Sequence, residues 1–378
     1  NVKIMVDGKP FGLEGSSRNA VLQQISATSI ESIELISNPS AKYDPEGSSG
    51  ILNIVLKKNS GFGYNGNIVL NAGTEDKYNG GINLNMKNDK FNIFANYNYS
   101  DNNNTITGSS NRQNYFITES VFINQNTDGN VQRNSNLIKG GIEYSLNPKN
   151  SLSFNVNYNI RNSDGNETSN YDYLDVNYNT VESYITSNVE TDDDYNLDMA
   201  LNYNGRFKNP KQTLFGEISY SNSNEEEILN SVETFYIPAD TTPGNLNNYQ
   251  NENSNQLNLQ LDYEMPIGKD SKFQTGYRGI FRKNDNDFRS ENFDYNLNFY
   301  VPDILTTNEY IYDEGINAMY GIYESKINNF SYSLGLRAEY TNTNGLLVNN
   351  DAQTESNYFN VFPSASLSQR LTQSQEIQ

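Results

Sequence analysis

From residue 62 onward the chain alternates apolar and polar positions with a period of two. In the stretch 151–160, Leu152, Phe154, Val156, Tyr158 and Ile160 fall on one face of an extended strand, and Ser151, Ser153, Asn155, Asn157 and Asn159 on the other. The pattern recurs where Leu257, Leu259, Leu261, Tyr263 and Met265 stand opposite Gln256, Asn258, Gln260, Asp262 and Glu264. Three more runs share it: Phe91 to Tyr99, Leu197 to Tyr203 and Tyr332 to Tyr340. A helix would scatter these residues around its circumference. The spacing therefore predicts antiparallel strands, about twelve of them by residue 370.

The connections sharpen this reading. Tight turns are expected near Asn88-Asp89, 147–150, 208–212, 267–270 and Asn328-Asn329, while the polar stretches 102–130, 164–190, 224–254 and 285–312 are predicted as long loops. Short and long connections in strict alternation are what an outer-membrane barrel shows, with short periplasmic turns and long extracellular loops. Strands of roughly 10 to 14 residues suit a tilted crossing of the bilayer. Tyr144, Tyr203, Tyr220, Tyr263 and Tyr340 lie near predicted strand ends, where an amphipathic ring fits the headgroup level. The fold class expected is mainly β, an antiparallel transmembrane β-barrel.

Composition removes other chemistries. With 26 Lys+Arg against 46 Asp+Glu the net charge is −20, and His, Cys and Trp are absent. A Ser-His-Asp triad, a Cys nucleophile, a Cys/His zinc site and His-ligated haem all need residues this chain does not own, and nothing points to an enzyme. So acidic a chain, with no basic patch, is not expected to bind nucleic acid. It nonetheless holds 28 Tyr and 18 Phe, far too many aromatics for a disordered chain of this polarity. No apolar run is long enough for a transmembrane helix, which leaves a barrel untouched. The opening residues NVKIMVDGKP do not read as a signal peptide, so the expectation is a trimmed start or a segment of a longer polypeptide.

Residues 1–58 read differently from 59–378, and these are the two expected domains. A strand with Val2, Ile4 and Val6 on one face runs into an Asp7-Gly8 turn. A short helix is predicted over Ala20, Val21, Leu22 and Ile25, and two strands over Ile30–Ile36 and 50–58. So short a segment has a small core and would be marginal alone.

This N-terminal stretch resembles the C-terminal half of the plug domain of TonB-dependent outer-membrane receptors. The resemblance rests on Asp7-Gly8, Val21-Leu22, the run Ile30-Glu31-Ser32-Ile33-Glu34-Leu35, and Gly50-Ile51-Leu52-Asn53-Ile54. The stretch Asn38-Pro39-Ser40-Ala41-Lys42-Tyr43-Asp44 looks like the variant found in Bacteroidota outer-membrane β-barrel receptors, as does Phe359-Asn360-Val361-Phe362-Pro363-Ser364. The plug positions it singles out are Asp7, Gly8, Ile33, Glu34, Asn38, Pro39, Ser40, Tyr43, Gly47, Gly50, Asn53 and Ile54. Read on their own, Asp7, Gly8, Pro39 and Gly47 are turn residues.

The resemblance implies a small α/β plug lying inside a 22-strand barrel in the cell outer membrane, of which this chain holds about twelve strands. It implies import of a nutrient such as a siderophore, metal chelate or peptide, driven by a TonB-type periplasmic energiser. Lipid, lipopolysaccharide, a small-molecule or peptide ligand, and a surface lipoprotein or larger outer-membrane complex would be its partners. A receptor-like barrel serving as a structural subunit of such a complex is the alternative. Glu31 and Glu34 become candidates to meet Arg278 or Arg337 on the barrel wall. No cofactor is expected, although Asp192-Asp193-Asp194, Glu225-Glu226-Glu227 and Asn284-Asp285-Asn286-Asp287 are oxygen-rich enough to raise loop-bound Ca²⁺ against a plain solvated rim.

Overall fold

The structure, a computed structural model, describes residues 3–6, 9–10, 30–36, 51–56, 63–115, 121–371 and 375–377. They form two sheets. The first has four strands in the order β2-β1-β4-β3, with β1 (Lys3–Val6), β2 (Lys9–Pro10), β3 (Ile30–Ile36) and β4 (Ile51–Leu56). The pair β1/β4 is parallel and β3/β4 antiparallel. Ile51, Asn53 and Ile54 of the central β4 are buried, as is Met5 of β1.

The second sheet has fourteen strands. After β5 (Gly63–Gly73) and β6 (Lys77–Lys87) come β7 (Phe91–Gln113), β8 (Phe122–Asn147), β9 (Asn150–Leu174), β10 (Thr180–Arg206), β11 (Thr213–Ile237), β12 (Gly244–Ile267) and β13 (Ser271–Asp294). They are followed by β14 (Phe299–Pro302), β15 (Asn308–Ile327), β16 (Phe330–Leu347), β17 (Ala352–Arg370) and β18 (Glu376–Ile377). Each long strand pairs antiparallel with its sequence neighbour, and β14 stands off this path against β13. The turns at the two ends use residues that tolerate left-handed backbone, such as Gly268 (φ +68°) and Asn328 (φ 55°) at the tight-turn end and Asp351 (φ 56°) at the other.

Register turns the period-two pattern into a surface. Ile93, Ile142, Phe154, Leu201, Ile218 and Leu259 form one row across β7 to β12, each directly opposite the next. This face is apolar, and many of its side chains are exposed: Phe154, Leu201, Ile218 and Leu261 are all more than a third accessible. An apolar face left open on so many adjacent strands is unstable in water and suited to hydrocarbon. Tyrosines edge it on the side away from the tight turns. Tyr97 donates to Asn136 Oδ1 (2.7 Å), Tyr220 to Asn255 Oδ1 (2.8 Å) and Tyr340 to Asn357 Oδ1 (3.3 Å).

Two expectations are corrected. The first concerns the α/β plug domain, and with it the fold class and the plug-plus-barrel form of the family resemblance. Among the described residues there is no α-helix, and the N-terminal strands form an all-β sheet of four. The one short helical element is a 3₁₀ turn at Val348–Asn350. The predicted helix around Val21 and Leu22 lies outside the described residues, as do Asp7, Gly8, Asn38, Pro39, Ser40, Tyr43, Gly47 and Gly50.

The second correction concerns the long loops. Strands β7 to β13 run 23 to 27 residues, so most of 102–130, 164–190, 224–254 and 285–312 is strand. Beyond Ile160 and Tyr195 both faces are mostly polar, with scattered apolar residues such as Val189 and Val232. Asn162, Asp193, Glu226 and Asn251 continue the row on the face that is apolar lower down. A strand with water on both sides has no reason to alternate, so its ladder is invisible to a search for alternation.

Candidate functional site

The polar face of the large sheet carries the groups able to meet a ligand. Toward the tight turns, Asp262, Gly276, Tyr320 and Arg337 form one row across β12, β13, β15 and β16. The Tyr320 ring crosses Gly276 to donate to Asp262 Oδ1 (2.6 Å). A Cβ at Gly276 would come within 2.6 Å of that ring, so only glycine leaves room for the crossing. Arg337 is bound by Glu339 of its own strand, Nε and Nη2 both donating to Oε2 (3.0 and 2.6 Å), and the whole pair is buried.

Farther from the tight turns the same face becomes acidic. Strands β10 and β11 pair so that Asp192 meets Glu227 and Asp194 meets Glu225, while Glu252 of β12 lies opposite Glu225. Arg161 of β9 lies opposite Asp194 and bridges to it. Arg133 of β8 lies opposite Ser163, which lies opposite Asp192. Burial pushes the carboxyls of Asp192, Asp194, Glu190, Glu225 and Glu227 above their usual range. Neighbouring carboxylates add to this at Glu190, Asp194, Glu225 and Glu227, and Arg161 works against it at Asp192, Asp194 and Glu225.

One rung closer to the turns lies a group of amides with an unusual balance. Asp198 accepts from Ser221 Oγ (2.7 Å), Asn196 Nδ2 (2.9 Å) and Asn157 Nδ2 (3.1 Å). A carboxylate only accepts, so it fixes both amides with their nitrogens toward it. Their carbonyl oxygens are left over. Oδ1 of Asn157, Asn159 and Asn196 is buried with no hydrogen-bond partner, and Asn159 and Asn196 are only 3% and 6% exposed. Toward the tips of β9, β10 and β11, Tyr171 stacks on Tyr184 (ring centroids 4.9 Å apart) and Phe235 packs tilted against Tyr184 (5.1 Å).

Of the sequence-derived positions, the structure brings Glu34 and Asn53 together: they are register partners, and Asn53 Nδ2 donates to Glu34 Oε2 (2.8 Å). Ile33 stands opposite Ile54, exposed while Ile54 is buried. Glu34 and Arg337 thus each have a bond within their own sheet. The runs Asp192–Asp194 and Glu225–Glu227 are strand, not loop, and pairing splits each between two faces. Among the described residues no group of three or more acidic side chains converges to hold a metal ion. Sequence reasoning passed over Arg133, Arg161 and Asn196, and it placed Asn157 and Asn159 on the polar face without giving them a role. A signal for the acidic pairing existed, since the two acidic runs are equidistant from the tight turn between Arg206 and Thr213.

A family model described as outer membrane protein beta-barrel family matches residues 205–378. No curated protein matches the chain by sequence. In fold it is similar to the ferric citrate transporter FecA in its unliganded form, at 12% identity and a TM-score of 0.55, over 99% of this chain and 52% of that one. It is likewise similar to FpvAI in its complex with pyocin S2, at 13% identity and a TM-score of 0.63, over 98% of this chain and 50% of that one. The chain spans about half the length of these two solved structures. The matches show the fold, a large antiparallel sheet of the kind that forms the β-barrel wall in those two proteins. They do not extend to an α/β plug, which is the correction already made from the N-terminal sheet, nor to a Bacteroidota subtype.

Proposed function

We propose that this chain forms part of the wall of an outer-membrane receptor that takes up a small solute, with its tight turns in the periplasm and its strand extensions outside the cell. The observation that carries this reading is the two-faced sheet, apolar over one continuous exposed band and mostly polar on the other face, where Leu137, Ile280, Ile316, Ala318 and Ile322 are buried apolar exceptions. Such a sheet places hydrocarbon on one side and a hydrated passage on the other. The transport activity named for the ferric citrate transporter supports uptake as the class of function. Under this reading residues 1–58 and 59–378 are separate units, a TonB-type energiser supplies the work from the periplasm, and the strand extensions meet lipopolysaccharide and the ligand.

The test is made on the full-length protein in its own host. Deleting the gene should abolish uptake of one solute class, and removing the periplasmic energiser while keeping the gene should do the same. Loss of an outer-membrane complex with uptake unchanged would overturn the importer reading in favour of a structural subunit.

A further inference from the structure

The polar wall above the membrane band has an excess of acceptors and negative charge that the protein itself does not neutralise. Glu190, Asp192, Asp194, Glu225, Glu227 and Glu252 share one face, and the arginines set among them are Arg133 and Arg161. An acidic patch alone would be a solvated surface. Here a second feature adjoins it: the buried, unpartnered carbonyl oxygens of Asn159 and Asn196, one rung from the Arg161–Asp194 pair. Because Asp198 holds the Asn196 nitrogen on its turn side, the Asn196 oxygen is left to the side of Asp194. A buried acceptor without a donor is costly, so a ligand that brings donors gains by filling it.

The layout selects among cationic ligands. A single metal ion needs ligands that converge, and among the described residues no three acidic side chains do; the rungs repeat instead along a backbone lattice of roughly 4.8 Å between strands and about 7 Å between successive same-face residues. That is a ladder, suited to several positive charges on one flexible chain. The ring cluster of Tyr171, Tyr184 and Phe235 at the strand tips offers ring faces that attract ammonium and guanidinium groups.

We infer that this wall binds a short linear polycation, a polyamine or a Lys/Arg-rich oligopeptide, whose ammonium groups lie against the Asp192–Glu227 and Asp194–Glu225 rungs and donate to the oxygens of Asn159 and Asn196. The inference rests on the receptor reading and names the class of solute it takes.

The experiment is calorimetric titration of the full-length protein in detergent with spermine and with tetralysine, using maltotriose and citrate as neutral and anionic probes. At least one polycation should bind and the other two probes should not. Binding of spermine alone assigns a polyamine, and binding of tetralysine alone a peptide. The double variant Asp192→Asn/Glu227→Gln should weaken binding tenfold or more. Asp193→Asn/Glu226→Gln, which removes the same charges from the opposite face of the same strands, should change it by less than twofold. Glu190→Gln provides a second inner-face variant with an independent effect on folding. Absence of polycation binding, equal losses in the two double variants, or equal binding of citrate would each overturn the inference. Failure of the receptor reading looks different: calorimetric binding persists while uptake in cells does not depend on the gene or the energiser.

Discussion

Arg337 and Glu339 illustrate how a single pair can constrain the wall. Arg337 is 1% exposed, with two nitrogens bonded to one Glu339 oxygen while Thr341 Oγ1 donates to the other (3.4 Å). Formation of such a pair adds little net stability, because desolvation offsets the attraction; removal of one member leaves a buried charge uncompensated. Glu339→Gln should therefore lower the unfolding free energy by about 3–5 kcal/mol, and Arg337→Met/Glu339→Leu should recover much of it. Urea unfolding of the protein in lipid vesicles measures both; equal stability of the single and double variants would refute the argument. The pair was half legible in the chain itself. Period two puts Arg337 and Glu339 on one face, yet it does not say whether Arg337 turns to its own strand or to a distant glutamate such as Glu34. Local geometry decided it, since a same-strand partner two residues away needs no other element to be in place.

At the scale of the strand, alternation and hydrogen bonding are separate signals, and only the first is written in residue types. The band containing Leu152, Phe154, Val156 and Tyr158 was legible because lipid on one side and water on the other force the pattern. The extensions were not, since Asn, Ser, Thr and Glu on both faces read as loop. What holds them is a continuing ladder with side-chain pairs across it, including Thr127 with Ser169 (2.7 Å), Ser183 with Asp172 (2.7 Å) and Asn224 with Asn251 (2.7 Å). Amide hydrogen exchange should accordingly show residues 183–191 and 224–232 protected, whereas loops would exchange at once; rapid exchange throughout both segments would contradict the extended strands. The lipid band makes its own prediction. Leu259 closes the apolar row, with Ile218 on one side and Gly279 on the other, so Leu259→Arg should destabilise the sheet by about 2–4 kcal/mol if this level lies at the bilayer midplane. A neutral result in vesicle-based unfolding would mean that this face does not meet hydrocarbon.

Across the whole molecule a net charge of −20 is not spread evenly, and the acidic wall sets how stability responds to pH. A carboxyl whose pKa rises on folding holds its proton more tightly in the native state, so stability falls as pH rises. For Glu190, Asp192, Asp194, Glu225 and Glu227 the favourable contribution is complete below the ordinary carboxylate range and is lost as pH climbs through their raised values. Arg133, Arg161 and the hydroxyl of Ser163 face the same groups and moderate the effect without reversing it. Asp175, in the turn between β9 and β10, works the other way, because hydrogen bonds from the Asn179 side chain and backbone, and then from Asn177, hold its carboxyl down. The strand extensions should therefore resist local unfolding better at pH 5 than at pH 7.5, read as slower amide exchange across 183–191 and 224–232 after correction for the intrinsic pH dependence of exchange. Asp192→Asn/Glu227→Gln should flatten that difference, and Asp193→Asn/Glu226→Gln should leave it intact. Spermine added at pH 7.5 should restore the protection that protons supply at pH 5 and add little at pH 5, since both neutralise the same rungs. Equal protection at the two pH values in the unsubstituted protein would show that these carboxylates are hydrated freely and impose no charge strain on the wall.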